Sequence, residues 1–212
     1  MKNKTPKTLK IIALAAACLA AWARTAAATT ATLAPESRLE LEGTSTLHPW
    51  EAKTSALQVA LAFPNANGAL AGAVETQSPA TMTVAIPVKA LKSEHSGLDK
   101  NMQKALKADQ FPDITFALQS YQLKKDKDAA QTIVAAGELA IAGVKKPATL
   151  TATVTQKDGR LVLDGEQPVL MTDFGIKPPT MMMGSIKTGD RVVVKYHLEL
   201  LSAATDSKSN GK

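Results

Sequence analysis

Between positions 133 and 154 the side chains change character with a period of two. Ile133, Ala135, Gly137, Leu139 and Ile141 carry apolar or small groups on one face. That is the pattern of a strand with one buried side. Gly143 follows, and its backbone tolerates the positive φ of a tight turn. Pro147 has no N–H to give to a ladder, so it is expected at the first residue of the next strand. Beyond it Leu150, Ala152 and Val154 alternate with Thr149, Thr151 and Thr153. The stretch predicts two strands joined by a tight corner, each with a fixed apolar face.

The same period recurs along most of the chain. It is visible at Leu39, Leu41 and Gly43, at Leu57 to Phe63, and at Met82, Val84, Ile86 and Val88. It returns at Ile114, Phe116 and Leu118, at Leu161 and Leu163, and at Val192, Val194, Tyr196, Leu198 and Leu200. Asn67-Gly68 and Asp158-Gly159 are turn and hairpin signals. Asp164-Gly165 is expected to break or turn its strand, and Pro49 to bend the chain near His48. Lys124 to Asp128 reads as an exposed loop and residues 171–187 as irregular.

One segment departs from this pattern. From Ser96 to Ala108 the residues are good helix formers, with Leu98, Met102, Ala105 and Leu106 at helical spacing. Ser96 is the expected N-cap, and Asp99 three residues on would complete a capping box. Eight or nine short strands with one short helix near residues 96–108 make a mainly β domain, a sandwich or a barrel. A barrel of about eight strands is just wide enough to hold one small ligand.

Residues 1–28 read as a secretory signal peptide. Lys2, Lys4, Lys7 and Lys10 precede an apolar run from Ile11 to Ala21. That run is shorter than the ~20 residues needed to span a bilayer. Cleavage is expected near Ala28 or Ala23, leaving a periplasmic or secreted protein without a transmembrane anchor. The formal charge of +6 then falls to +2, or to +1 if Arg24 also goes. No clustered basic surface remains to suggest a nucleic-acid partner. Cys18 lies inside the apolar run, where Ala15 departs from a lipobox, so no lipid anchor is expected. The processed chain would then have no cysteine and rely on its core. Thr29 to Pro35 reads as a flexible lead, the domain as residues 37–201, and residues 202–212 as a disordered polar tail.

Chemistry-bearing residues are sparse. His48, His95 and His197 stand in unrelated contexts, and no Gly-x-Ser-x-Gly elbow is present. A nucleophile with a base and an orienting acid is therefore not in view. No spacing matches a zinc ligand set, and no cofactor is expected. His197 alternates with Lys195 and Glu199 opposite Tyr196, which reads as a solvated position. His95 and Asp99 could share a helix face, as a gate or as a surface pair. Met181 to Met183 offer soft thioethers of the kind that select Cu(I), or adaptable apolar filler beside a pocket. The small residues Ala135, Gly137 and Ala152 on apolar faces leave room for a cavity.

Three motifs, in order and spacing, resemble the YceI-like, polyisoprenoid-binding family. They are Gly137 to Pro147, Phe111-Pro112-Asp113-Ile114-Thr115-Phe116, and Asp173-Phe174-Gly175-Ile176 followed by the strand from Val192 to Leu200. Gly43-Thr44-Ser45-Thr46-Leu47-His48-Pro49-Trp50 is similar to the first-strand segment of one subgroup. The family's Arg-Asp-x-His-Leu is matched only by Asp99, within Leu98-Asp99-Lys100-Asn101-Met102. The resemblance covers about residues 37–201. It implies an extended antiparallel barrel, similar to lipocalins, with an elongated apolar cavity. It also implies a non-enzymatic, exported protein that holds a polyisoprenoid or similar long apolar lipid, a quinone side chain or lipid carrier. Val84, Ile86, Ile114, Phe116, Leu139, Ile141, Ala152, Val154, Phe174, Val194 and Tyr196 are the expected lining residues. A copper-handling protein using Met181 to Met183, or a structural or stress-related envelope protein with a filled barrel, would be the alternatives. The sequence sets no oligomeric state.

Overall fold

The computed structural model describes residues 29–64, 69–125 and 131–202. Among the described residues eleven strands run in chain order: β1 (Thr29–Leu33), β2 (Arg38–Ser45), β3 (Trp50–Thr54), β4 (Gln58–Phe63), β5 (Thr81–Pro87), β6 (Asp113–Lys125), β7 (Gln131–Ile141), β8 (Val144–Lys157), β9 (Arg160–Leu170), β10 (Thr180–Met181) and β11 (Ile186–Ser202). Helix α1 is Leu70–Glu75 and helix α2 is Ser96–Ala105. The signal-peptide reading, with its Cys18, lies outside the described residues. So do the Asn67-Gly68 turn, residues 126–128 of the charged loop, whose Lys124 and Lys125 belong to β6, and the tail beyond 202.

Every described strand pairing is antiparallel. The order β1-β4-β5-β6-β7-β8-β9-β11 closes because β11 also pairs with β1, giving an eight-stranded barrel. β1 and β2 lie end to end along β11. Leu33 pairs with Leu200 and Arg38 with His197. At the break between them Ser37 replaces the ladder: its hydroxyl accepts the Glu199 N–H at 3.0 Å. β3 and β4 repeat this arrangement one strand further on, β3 on β2 and β4 on β1. The barrel is therefore continuous at one end. At the other, β3 is bridged to the β5–β6 connection by the Lys53–Lys92 pair.

The pattern of period two is realised with one change of phase. On β6, Ile114, Phe116 and Leu118 face inward; a bulge between Leu118 and Ser120 then passes the inward positions to Tyr121 and Leu123. An extra residue in one strand flips the alternation beyond it. The two hairpins form where expected, with left-handed backbone at Ala142 and Gly143 and at Asp158 and Gly159. That is the signature of the two-residue turn whose twist matches its strands.

Several expectations are corrected. Thr29 to Leu33 is not a lead but the strand that closes the barrel, with Thr29 and Ala31 buried. Pro147 stands inside β8, opposite Glu138. β9 joins β8 only from Ala152 onward, so at Pro147 one side of the strand has no ladder to supply. Asp164-Gly165 does not break β9, which runs through to Leu170. The closing strand begins at Ile186 rather than Val192. Ser96 opens α2 rather than capping it, and His95 at the cap makes no side-chain bond to the helix. Helix α1, unassigned from sequence, covers the far end with Leu70, Ala73 and Val74 buried.

Candidate functional site: an apolar cavity along the barrel

The buried apolar residues do not form one cluster. Phe63, Leu70, Val74, Val154, Leu161 and Leu200 pack around α1 at one end. Leu39, Leu41, Leu91, Met102 and Val192 pack under α2 at the other, beside Ile141, Ala142, Phe174 and Ile176. A cavity of about 280 Å³ extends between these groups. A water needs roughly 10–15 Å³ of such space, so this is far more than a packing defect. Its lining residues on β11 run from Thr188 to Leu200. That is roughly 40 Å of strand, or about 30 Å along the axis of a tilted barrel.

Ten of the eleven expected lining residues do line it. Val84 and Ile86 come from β5, Ile114 and Phe116 from β6, and Leu139 and Ile141 from β7. Ala152 comes from β8, Phe174 from the turn after β9, and Val194 and Tyr196 from β11. Val154 does not. It packs with Leu161 and Leu200 in the α1 cluster and is not among the lining residues. Periodicity assigns a face but not a depth, which is why Val154 and Ala152 could not be told apart.

No Asp, Glu, Lys, Arg or His lines the cavity among the described residues. Its polar groups are few and mostly committed. Tyr196 donates its hydroxyl to the Thr151 carbonyl at 2.9 Å, and burial pushes its pKa up to about 12. Tyr121 donates to the Ser78 carbonyl at 2.8 Å. Trp50 donates its indole N–H to the Thr44 carbonyl at 3.2 Å. Asn101, Gln167 and Thr188 complete the polar set. Trp50, Asn101, Gln167 and Thr188 all belong to the α2 end, so the cavity is more polar there, while at the α1 end its polar group is the Tyr121 hydroxyl, already bonded to backbone.

Helix α2 supplies Leu98, Asn101, Met102 and Ala105 to the lining, and the residue that caps it, Leu106, joins them. The helical spacing of its apolar residues showed that this face was covered, but not that it faced empty space. Asn101, absent from the expected set, stands one position before Met102. The helix is fixed by Asp99, whose carboxylate accepts both the Ser93 hydroxyl and the Ser93 N–H at 2.7 Å. The Ser93 hydroxyl bond, then the backbone bond, hold the Asp99 carboxyl below its usual range against the opposing effect of burial. Lys92 approaches at 3.9 Å. His95 is exposed, so the His95–Asp99 pair is replaced by Ser93–Asp99.

The small residues do not all leave space. A β-carbon on Gly137 would meet the Phe116 ring, and one on Gly43 the Trp50 ring. Those glycines accommodate aromatic rings; Ala135 and Ala152 border the cavity itself.

Other side chains lie elsewhere. His197 is on the outer wall but is not simply solvated: its ring nitrogens lie 2.7 Å from Asp164 and 3.3 Å from Glu199. Arg160 joins Glu199 at 2.8 Å. Among the described residues no group of three His, Cys, Asp or Glu side chains is placed to hold a metal. Met183 is fully exposed. No described helix is long and apolar enough to cross a membrane.

Comparison with known proteins agrees with this geometry. No curated protein sequence matches. The solved structure of BcnA from Burkholderia cenocepacia superposes with a TM-score of 0.61 at 17% identity, covering 77% of this chain and 96% of that one. A polyisoprenoid binding domain from Saccharophagus degradans superposes with a TM-score of 0.61 at 11% identity, over 82% of this chain and 99% of that one. At those identities the likeness is one of fold. The family model of the YceI-like domain matches residues 36–200, and the chain belongs to that family.

Proposed function

We propose that this protein is an exported, non-enzymatic carrier that holds a long apolar lipid of the polyisoprenoid class inside its barrel. The observation that carries the reading is the elongated cavity of about 280 Å³ whose described lining has no charged side chain. Binding would come from burial, at about 0.8 kcal/mol for each CH₂ removed from water. A chain of several isoprene units then needs few polar contacts. The gradient of polarity orients it, with the tail toward Phe63 and Val74 and the head toward Asn101, Gln167 and Thr188. A charged head group would have to stay at the α2 end, in reach of solvent. The basic and apolar amino terminus supports export of the chain.

The test is mass spectrometry of the organic extract of protein purified from an envelope fraction without detergent exchange. An isoprenoid series in stoichiometric amount is the expected result. Extracts that hold no lipid above background, from protein whose barrel is intact, would overturn the reading.

A further inference from the structure

The four large apolar side chains exposed among the described residues are Leu47, Phe111, Leu170 and Met183. They come from four separate segments. Leu47 is in the β2–β3 connection, Phe111 in the β5–β6 connection, Leu170 at the end of β9, and Met183 between β10 and β11. The strand directions place all four at one end of the barrel, because β2, β5 and β9 finish there and β3, β6 and β11 start there. It is the α2 end, where the polar part of the cavity lies. The α1 end exposes none among its described residues.

Two of the apolar tips are held as a unit. The Thr46 N–H donates to the Lys187 carbonyl at 3.0 Å. Its hydroxyl bonds to the Ser185 carbonyl and the Lys187 N–H at 3.3 and 3.1 Å. This ties the loop of Leu47 to that of Met183. Met183 has left-handed backbone (φ 55°) and is fully exposed. Exposed apolar groups gathered at one end and flanked by charge mark an interaction surface.

The charge at this end selects the partner. Lys100, Lys104, Lys107 and Lys177 are exposed and make no ion pair among the described residues. Lys100, Lys104 and Lys107 belong to α2 and the residues just after it, whose inner face lines the cavity. Of the acidic residues on the same connections, Asp99, Asp109 and Asp173 are each paired with a lysine. Glu94 is left without one, as are Asp113 and Asp190 at the adjoining strand starts, where Asp190 accepts Thr172. Lys187 and Arg191 are exposed and unpaired beside them, so among the described residues the unpaired groups at this end are in excess basic. Apolar tips surrounded by uncompensated lysines complement a bilayer surface, where the tips enter the acyl boundary and the lysines meet phosphate.

We propose that the α2 end of the barrel is a membrane-docking face, and that the apolar ligand is exchanged there with a bilayer carrying anionic head groups. The proposal rests on the lipid-binding reading of the cavity. An isoprenoid that crossed open water would expose the whole of its apolar surface on the way. A mouth seated on the bilayer avoids this, and α2 lies between the two compartments.

The test is flotation of the purified, lipid-extracted protein with vesicles of phosphatidylethanolamine, with and without phosphatidylglycerol. The protein is expected to float with the anionic vesicles and to be released by high salt, since surface charge attraction is screened. Leu47→Asp with Met183→Asp should lower partitioning about tenfold or more. Lys104→Glu with Lys107→Glu should lower it more than about fivefold. Lys124→Glu with Lys125→Glu makes the same charge change at the opposite end and should leave it unaltered. Thermal unfolding confirms that each variant folds, and Lys100→Glu with Lys177→Glu replaces the first lysine pair if it does not. Failure of the unaltered protein to float overturns the proposal. So does an equal loss in the opposite-end pair, or a face that self-associates without binding vesicles. Lipid in the cavity is measured separately by extraction. A protein that floats but never carries lipid would overturn the carrier function and the exchange step, while leaving the docking face.

Discussion

The hydroxyl of Tyr196 lies over Gly165, in the space that a β-carbon at position 165 would need. The two residues are direct neighbours across β9 and β11. Tyr196 reaches past Gly165 to donate to the Thr151 carbonyl on β8. One ring thereby spans three strands of the barrel wall. Gly165→Ala should push this ring off its acceptor and against backbone that cannot yield. Overpacking of this kind costs about 1–3 kcal/mol. Urea unfolding should show the loss, and a variant as stable as the parent protein would mean the ring moves freely.

Gly143→Val should be destabilising for two reasons that act together. Gly143 has φ of +85°, where a β-branched residue is a genuine outlier. A β-carbon there would also meet the Phe111 ring. The backbone strain alone is on the order of 1–3 kcal/mol. Gly143→Ala should show a smaller loss from the same two causes. The melting temperatures of the pair check the order. An unchanged Gly143→Val protein would exclude the left-handed turn.

Tyr196 should make the barrel sensitive to alkali. Its pKa is raised from 10.0 to about 12 by burial. The folded state therefore holds the phenolic proton more tightly than the unfolded chain. Its contribution to stability is complete below pH 10 and is lost as the pH rises from about 10 to 12. Tyr121, Lys145 and Lys195 are shifted in the same direction, so the parent protein should lose stability steeply there. Tyr196→Phe should lose it less steeply, because the group that titrates is gone. Melting temperatures of both proteins across this range are the measurement. Identical slopes would show that the Tyr196 proton is not held by the fold.

The barrel was legible because its walls obey one rule over most of their length. A period of two at Ile133 to Ile141 and at Val192 to Leu200 assigns an inner face without further information. What escaped were places where tertiary pairing overrides local signals. Thr29 to Leu33 is short and small-sided, with nothing local to distinguish it from a lead. It is a strand because β4 and β11 offer it edges on both sides. Asp164-Gly165 carries a turn signal, yet Gly165 is there to make room for Tyr196, a residue 31 positions away in the chain. The Ser93–Asp99 lock was missed because Ser96 offered a simpler cap. The cavity itself was only partly legible. Periodicity selected the faces, but the emptiness between them depends on the depth at which each side chain sits. That is why Ala152 borders the cavity while Val154, on the same face of the same strand, does not.

Ala152 therefore offers the sharpest test of the cavity. Its side chain is buried and borders the open space of the cavity. Ala152→Phe would project a ring into that space. In a close-packed interior the extra volume would cost typically 1–3 kcal/mol. In a cavity of about 280 Å³ the ring has somewhere to go, and stability of the ligand-free protein should stay near that of the parent. The same ring would block the passage between the α1 and α2 ends, so co-purified lipid should fall sharply. Both proteins must be extracted before unfolding, because a ligand bound only to the native state raises apparent stability by mass action. Thermal unfolding of extracted samples and quantified lipid from unextracted samples give the two readouts. Near-normal stability with lost lipid is the expected pair. Full lipid occupancy in Ala152→Phe would show that the chain does not run past β8. Lower stability with no lipid in either protein would show an interior that closes on itself.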